Sequence, residues 1–384
     1  MSSGELIYLD YNATTPLDQR VLDSMLPFFT EDFGNPSSDH VFGWQAAEAV
    51  EHSRDQIARL VHCRPADLTF TSGATEAANM ALFGFCEKNG HKGKHIISCK
   101  TEHKAVLDCL QALEKSGCRV SYLDVDSDGN IDLEQLQKMI SSETILVNLM
   151  LANNETGIIQ PMKEISEIVH RHQASMMSDI TQAVGKIPVN LEELNLDVAF
   201  FSAHKMYGPK GIGALYINKK NKVRLGPRNF GGQQEKGMRP GTLNVPGIVG
   251  FGKAAEVARA DMKAEADRLQ KLRKQLESGL KKLKGARINS YNSRRLPNTT
   301  NISFEGMDGQ QLIRKLKNLA VSRGSACSAN EMKASHVLKA MRLSEELALS
   351  SLRISLGKFT TSEEIDKAIA EITKSVQQLK KAEV

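Results

Sequence analysis

The stretch FFSAHKMYGPKGIGALY, residues 200–216, places a single lysine, Lys205, directly after an apolar run and just ahead of two clusters of glycine. The apolar run, Leu196–Ser202, has the length and composition of a buried strand. An amine is costly to bury without a partner, and a lysine at the surface or in a satisfied contact is the commoner outcome. The surrounding sequence must therefore show whether Lys205 has a chemical task.

Short apolar runs that read as strands alternate with helical patterns between residues 65 and 217. The strand candidates are Leu68–Thr71, His95–Ser98, Arg119–Leu123, Thr144–Leu151, Ser175–Ser178 and Leu196–Ser202. This alternation is typical of βαβ units and predicts an α/β fold, with a mainly parallel sheet covered by helices on both faces. Because ligands of such sheets bind beyond the carboxyl ends of the strands, the residues that follow each strand are the candidates for a site.

A second, smaller domain is predicted towards the C-terminus. A Lys-rich helical pattern at Ile248–Lys284 is expected to bridge to it. A strand at Thr300–Phe304, a helix at Gln310–Asn318 and a strand at Arg353–Leu356 then follow in order. The last helix is expected to begin at a capping box, Thr361–Glu364, and to carry an apolar stripe.

Composition excludes several classes of protein. The 384 residues include 50 Lys and Arg against 45 Asp and Glu, and a net charge of only +5 does not predict a nucleic-acid surface. The 6 cysteines form no CxxC pair and no Cys/His zinc pattern. With no signal sequence and no apolar run long enough to cross a bilayer, we expect a cytoplasmic protein with no membrane and no direct nucleic-acid partner.

Two strand ends offer groups for an anion and for a flat ring. After Leu68–Thr71 a glycine turn starts a helix, where the free amides of Ala74 and Thr75 could bind a phosphate. His103 follows the strand His95–Ser98 and could stack on a ring or exchange protons near neutral pH. Taken singly, an ordinary glycine turn and a surface histidine explain these features at least as well.

Asp179 and Lys205 follow successive strands and can face one ligand from different sides. A carboxylate at the end of an apolar strand needs a partner. Pyridoxal 5′-phosphate would use all of these groups, because its aldehyde condenses with a lysine amine, its pyridine nitrogen pairs with a carboxylate and its phosphate suits a helix N-terminus. We therefore predict this cofactor, with Lys205 as the lysine that binds its aldehyde.

Motifs along nearly the whole chain resemble those of the NifS/IscS-type cysteine desulfurases, a branch of the aspartate-aminotransferase-like superfamily. Several of these motifs are specific to that branch. The motifs are Tyr8–Pro16, Phe33–Ser37, Thr71–Glu76, Thr101–His103, Ala152–Gly157, Ser202–Lys205, Gly208–Gly213, Gly241–Pro246, Gly324–Cys327 and Ser351–Ser355.

The resemblance implies a transferase of the pyridoxal-phosphate fold type I, with a mainly parallel seven-stranded sheet in a large domain, residues 15–255. It implies a smaller α+β domain, residues 1–14 and 256–384, that carries the catalytic cysteine loop. It also implies a homodimer that converts L-cysteine to L-alanine and transfers the sulfur as a persulfide on Cys327. The sulfur would pass to an acceptor such as an iron–sulfur cluster scaffold, with tRNA thiolation as a second route.

The resemblance also assigns roles to individual residues. Lys205 would move the Cα proton as well as bind the aldehyde, and His103 would stack on the ring and help to protonate intermediates. Asp179 would pair with the ring nitrogen. Arg353 would bind the substrate carboxylate through two parallel donors, a geometry that lysine cannot copy. The remaining assignments are Ala74, Thr75, Ser202 and His204 to the phosphate, Thr242 to the phosphate of the other subunit, Gln182 to the ring hydroxyl, and Asn154 to the ring hydroxyl and the substrate.

Cys327 lies in a loop of small residues, Ser322–Asn330, whereas the other cysteines lie in helical or strand-like surroundings where an inert thiol is the default. A nucleophilic thiol must be ionised and reachable, and positive charge from Arg323 would lower the pKa of Cys327. We therefore expect Cys327 to attack the substrate sulfur. No firm metal site is predicted, although Cys327 could transiently ligate a cluster shared with a scaffold protein.

Two departures from the family pattern are expected to matter. Pro240 should stiffen the segment offered across the dimer, and Ile180 should press on the cofactor ring. Alternatives within pyridoxal chemistry are a selenocysteine lyase, another β-elimination enzyme and an aminotransferase, the last with no role for Cys327. Outside that chemistry, a scaffold that has lost catalysis would be expected to lack Lys205 or Cys327, and both are present.

Overall fold

The computed structural model of the chain describes residues 6–324 and 334–382. The strands are β1 Ile7–Tyr8, β2 Leu68–Thr71, β3 His95–Cys99, β4 Arg119–Leu123, β5 Thr144–Asn148, β6 Ser175–Asp179, β7 Val198–Ser202, β8 Gly213–Ile217, β9 Ala286–Asn289, β10 Thr299–Phe304, β11 Leu319–Ala320 and β12 Leu352–Ser355. The helices are α1 Gln19–Met25, α2 Pro27–Thr30, α3 Val41–Val61, α4 Ala74–Asn89, α5 Lys104–Lys115, α6 Leu133–Met139, α7 Met162–Arg171, α8 Val245–Leu280, α9 Gly309–Lys315, α10 His336–Ala340, α11 Glu345–Leu349 and α12 Ser362–Ala382.

The main sheet has seven strands in the order β2-β8-β7-β6-β5-β3-β4. Its strands run parallel except β8, which pairs antiparallel with both β2 and β7. Every strand except β4 is buried along its length or nearly so, as expected for a sheet with helices on both faces. The predicted α/β class and the mainly parallel seven-stranded sheet are confirmed.

A second, antiparallel sheet has the order β12-β10-β9, and the short strands β1 and β11 pair beside it. Its core draws on both ends of the chain, because Leu9 packs in one apolar cluster with Leu276, Ile354 and Ile365. Helix α8 is continuous from the first core to the second. The domain boundary at residue 255 stays a prediction.

Of two element ends predicted from the sequence, one is confirmed and one differs in the structure. The capping box forms, since Thr361 Oγ1 accepts from the Glu364 amide at 3.2 Å and Glu364 Oε2 accepts from the Thr361 amide at 2.8 Å. Strand β5, by contrast, ends at Asn148 and not at Leu151 as predicted. The reason is that Leu149–Leu151 stay buried after leaving the regular ladder, so apolarity alone does not mark the end.

The parallel strands bring four functional segments to one edge of the main sheet. His103 follows β3, Asn154 follows β5, Asp179 ends β6 and Lys205 follows β7. Because these strands run in the same direction, their carboxyl ends lie side by side, where ligands of α/β sheets bind.

Candidate active site

A cavity of about 560 Å³ opens at this edge of the main sheet. Ten of the twelve site residues predicted from the sequence line it: Ala74, Thr75, His103, Asn154, Asp179, Gln182, Ser202, His204, Lys205 and Arg353. Thr242 is exposed and is not among the residues that line this cavity, and its assignment to the other subunit's site stays a prediction. Cys327 lies outside the described residues, so its role and that of Arg323 stay predictions.

Lys205 ends a single 3₁₀ turn, Ala203–Lys205, that follows β7 directly. Its Nζ donates to the main-chain oxygens of Asn12 and Ala13, at 2.7 and 2.6 Å. Gly213, which follows it, serves close packing: a Cβ there would lie 2.6 Å from the Phe201 oxygen and 2.7 Å from the Cα of Gly73. The start of β8 is therefore packed closely against β7 and the glycine turn before α4.

Helix α4 points its N-terminus at the cavity. It begins at Ala74, and no side chain caps its first turn within the described part of the chain. Unpaired amides at a helix N-terminus favour an anion. Glu76 also lies here, where burial opposes its ionisation, but bonds from Ser72 and an ion pair with Arg239 (Nε to Oε1, 3.0 Å) lower its pKa overall. The carboxylate of Glu76 is thus already paired and leaves the amides available.

Both histidines of the cavity are held neutral. Burial lowers the pKa of His103, whose Nδ1 accepts from the Ala105 amide at 3.1 Å. An acceptor Nδ1 carries no hydrogen, so the remaining proton of the neutral His103 ring is on Nε2. Burial, with the positive charge of Lys205 next in importance, lowers the pKa of His204 to about 4.

Asp179 and Gln182 project from the end of β6 and the turn after it. The carboxylate of Asp179 accepts from the Thr181 amide at 2.9 Å through Oδ1 and lines the cavity. Gln182 Nε2 donates to the Asn12 oxygen at 3.0 Å. Ile180, between them, is fully buried in the apolar core and is not among the residues that line the cavity. The expectation that Ile180 presses on a cofactor ring is therefore wrong, because its side chain faces away.

Arg353 is the largest of the fully buried side chains, at 2 % exposure. Its Nη2 pairs with Asp10 Oδ1 at 2.7 Å and its Nη1 donates to the Asn154 oxygen at 3.2 Å. Its Nε has no hydrogen-bond partner among the described residues. A buried donor without a partner is uncommon, and both Nη atoms of Arg353 already have partners.

Sequence reasoning missed Asn12, which connects much of the site. Its main-chain oxygen accepts from Lys205 and Gln182, and its Nδ2 donates to the Asn154 oxygen at 3.2 Å. Its amide donates to Ser355 Oγ at 2.9 Å. The motif Tyr8–Pro16 contains Asn12, but nothing in its local sequence indicates partners that are more than a hundred residues away.

Three further polar residues beside the cavity were also missed. Lys186 donates to Asn12 Oδ1 at 3.3 Å and to Gln182 Oε1 at 2.5 Å. Glu155, in the motif Ala152–Gly157, accepts from Ser335 Oγ at 2.5 Å. Glu102, in the motif Thr101–His103, is completely buried. The motifs Ala152–Gly157 and Thr101–His103 therefore mark structural as well as chemical positions.

The cavity fits pyridoxal phosphate by the chemistry of its groups. It offers an amine at Lys205, a carboxylate at Asp179 and free amides at the start of α4, which are the groups that the aldehyde, the ring nitrogen and the phosphate require. Thr181 Oγ1, also on the wall, is buried without a partner among the described residues. A polar ligand would satisfy it.

The described residues lack two further kinds of feature. No helix among residues 6–324 and 334–382 is long and apolar enough to cross a membrane. Over the same residues, no group of three or more His, Cys, Asp or Glu side chains could hold a metal ion. The idea of a cluster shared through Cys327 falls outside these residues and stays a prediction.

Comparison with known proteins gives one consistent result. The model of the class-V aminotransferase family matches residues 7–368. The chain is 49% identical over 379 residues to a cysteine desulfurase IscS of Anaeromyxobacter sp. (strain Fw109-5), covering 97% of this chain and 93% of the relative. It is 48% identical over 377 residues to a cysteine desulfurase IscS of Histophilus somni (strain 129Pt), with the same coverage.

Solved structures agree with the sequence relatives. A NifS-like protein superposes with a TM-score of 0.92 at 40% identity, over 97% of this chain and 100% of that one. The structure of SspA in complex with cysteine superposes with a TM-score of 0.82 at 34% identity, over 92% of this chain and 100% of that one.

Proposed function

The chain belongs to the class-V aminotransferase family, and on that basis we propose that it is a pyridoxal-phosphate-dependent cysteine desulfurase. It converts L-cysteine to L-alanine and transfers the sulfur to Cys327 as a persulfide. The names of the relatives support this reaction. The observation that carries it is the meeting of Lys205, Asp179 and Arg353 on one cavity wall.

Different residues of the cavity would bind the phosphate and ring of the cofactor and the carboxylate of the substrate. The N-terminus of α4 with Ser202 and His204 would hold the phosphate, and Asp179 would keep the ring nitrogen protonated. Arg353, which lines the cavity, would bind the substrate carboxylate through a pair of its guanidinium donors. When bound, the cofactor supplies an electron sink for the negative charge that develops at Cα.

Proton transfers fall to Lys205 and His103. The Lys205 amine accepts the Cα proton, and its main-chain contacts with Asn12 and Ala13 hold it at the floor of the cavity. Neutral His103 carries its hydrogen on Nε2 and can donate it there. Cys327 thiolate then forms an S–S bond with the substrate sulfur as the Cβ–S bond breaks, and the carbon fragment leaves as L-alanine once it has taken up protons.

A homodimer is part of the proposal. Exposed large apolar side chains concentrate between residues 26 and 44, and such a concentration is typical of an interaction surface. They are Leu26, Phe29, Phe33, Val41, Phe42 and Trp44. Exposed Thr242 is then available to the phosphate of the second copy. We further propose a cytoplasmic enzyme that passes its persulfide to an acceptor protein such as an iron–sulfur cluster scaffold.

The test is alanine formation in a single turnover with L-cysteine. Wild type should form alanine and a persulfide on Cys327, whereas Cys327→Ala should lose alanine formation from L-cysteine. Cys63→Ala is the matched control, because burial raises the pKa of the Cys63 thiol to about 12 and leaves it unreactive. Unchanged alanine formation by Cys327→Ala would remove the thiol from the reaction.

Selenocysteine lyase is the alternative that the same assay separates. A lyase would release alanine from L-selenocysteine far faster than from L-cysteine, and Cys327→Ala would leave that rate unchanged. A desulfurase should turn over L-cysteine readily and depend on Cys327.

A further inference from the structure

Lys186 contacts residues that line the cavity, but the proposed reaction gives Lys186 no role. It lies in the turn Ala183–Lys186, where the Lys186 amide donates to the Ala183 oxygen at 3.0 Å. Gly185 makes this turn possible: its φ is +76°, and a Cβ there would lie 2.7 Å from the Cβ of Met206. The backbone therefore fixes where the Lys186 side chain starts.

The Lys186 amine contacts two residues that line the cavity. Its Nζ donates to Gln182 Oε1 at 2.5 Å and to Asn12 Oδ1 at 3.3 Å. Burial is the main cause that lowers the pKa of Lys186 well below its ordinary value. The nearby positive charges of Lys205 and Arg353 lower it further. An amine keeps N–H donors in either protonation state, so both contacts hold.

These contacts determine which way the Gln182 carboxamide faces. Its oxygen is occupied by a donor, Lys186, and one hydrogen of its Nε2 is occupied by the Asn12 oxygen at 3.0 Å. These contacts leave the second N–H of Gln182 unused, and Gln182 lines the cavity. Gln182 can therefore donate to a ligand there, whereas the reversed amide would set donor against donor at Lys186.

We propose that Lys186 is a positioning residue that makes Gln182 a hydrogen-bond donor to the ring oxygen of the bound cofactor. The inference rests on the proposed function, since it requires pyridoxal phosphate in the cavity. A donor would hold negative charge on the ring oxygen, and less charge would remain to retain the proton on Lys205 Nζ once that atom is joined to the cofactor aldehyde. Lys186 thereby lowers the pH at which the bound cofactor loses that proton.

The experiment is a pH titration of the visible absorption of the bound cofactor, without substrate. Lys186→Met removes the donor to Gln182, and the titration midpoint should rise by about one pH unit, as expected for a lost charge-assisted hydrogen bond. Apoprotein should also bind pyridoxal phosphate about tenfold more weakly in equilibrium dialysis. Lys220→Met is the matched control, because Lys220 is exposed and forms an ion pair with Glu192, and its midpoint should equal that of wild type.

A double-mutant cycle separates positioning from a general structural role. In a Gln182→Ala background, Lys186→Met should no longer move the midpoint, because Lys186 acts through Gln182. Gln182→Glu keeps an acceptor for Lys186, but its carboxylate cannot donate to the ring oxygen, so its midpoint should rise as well. This variant tests the orientation of the Gln182 amide even if Lys186→Met does not fold.

The outcomes are distinct. A wild-type protein that takes up no pyridoxal phosphate overturns the proposed function, and the inference with it. If wild type, Lys186→Met and Gln182→Glu all bind the cofactor and share one titration midpoint, the inference alone is overturned. Equal shifts by Lys186→Met with and without Gln182 would also overturn it.

Discussion

At the scale of single residues, Glu102 is the clearest buried acid. Its Oε1 accepts from the Met150 amide at 2.7 Å and its Oε2 from Asn148 Nδ2 at 3.2 Å. Burial, the main cause, raises the pKa of Glu102 well above its ordinary value of 4.5. Asn148 Oδ1 has no partner among the described residues, so turning this amide would give a protonated Glu102 an acceptor.

We expect Glu102→Gln to make the free energy of unfolding less dependent on pH. In wild type the unfolded carboxyl ionises above about pH 4.5 while the folded one stays protonated, so stability falls as pH rises, by about 1.4 kcal/mol per pH unit for one proton. The fall ends at the folded pKa. Glutamine does not titrate, so the variant should gain stability relative to wild type from pH 4.5 towards neutrality.

Urea unfolding over that pH range provides the measurement. Glu134→Gln is the control, because this carboxylate is exposed on α6, and its curve should run parallel to that of wild type. Parallel curves for Glu102→Gln as well would mean that Glu102 is ionised in the folded protein.

Also at this scale, Arg353 tests the geometry of substrate binding. Arg353→Lys should raise the KM for L-cysteine by about ten- to a hundredfold, because a single ammonium replaces a planar donor pair. The change in kcat should be smaller, since the proton transfers assigned to Lys205 do not involve Arg353. Steady-state alanine production gives both constants, and an unchanged KM would place the carboxylate elsewhere.

The residue scale also marks the limit of sequence reasoning. Lys205, Asp179 and His103 were predictable because each follows an apolar run, and that position has a meaning in parallel sheets. Asn12 and Lys186 were not, because their partners come from distant segments: Asn12 and Lys186 are 174 residues apart in the chain. Neither residue departs from ordinary local composition.

At the scale of elements, periodicity and apolar runs located most of the main sheet. They did not locate β8, whose start at Gly213 lies within a glycine cluster and lacks an apolar beginning. Strand β8 is also the antiparallel strand of the sheet, so it does not follow the βαβ alternation. Position 213 requires glycine because a Cβ there would lie 2.7 Å from the Cα of Gly73, and not because of turn geometry.

Gly213→Ala should therefore destabilise the protein by about 3 kcal/mol, because the methyl group meets backbone atoms of β7 and of the turn before α4. Cofactor affinity should fall with stability, since that turn starts α4, the helix proposed to bind the phosphate. Gly306→Ala is the control: its φ is +66° and no atom lies within 4 Å of the added Cβ, so it should cost only about 1 kcal/mol. Denaturant unfolding distinguishes the two, and equal losses would contradict the steric argument.

At the scale of the whole molecule, the N-terminal segment joins the two sheets at the site. Asp10 pairs with Arg353 of β12, while Asn12 contacts Lys205 beside the main sheet and Thr299 of β10 at 2.9 Å. Farther out, Lys358 pairs with Asp18 at 2.8 Å and with Asp261 of α8 at 3.1 Å. The order of these elements in sequence gave no indication that Asn12, Ala13 and Thr14 line the cavity.

The central claim for the whole molecule is that one lysine holds the cofactor. The most direct test is to load the protein with pyridoxal phosphate, reduce it with borohydride, digest it and locate the added mass by mass spectrometry. We expect one modified site per chain, on Lys205, with Lys186 and Lys210 unmodified although both lie near it. Uptake of no cofactor, or a cofactor mass on a lysine other than Lys205, would contradict it.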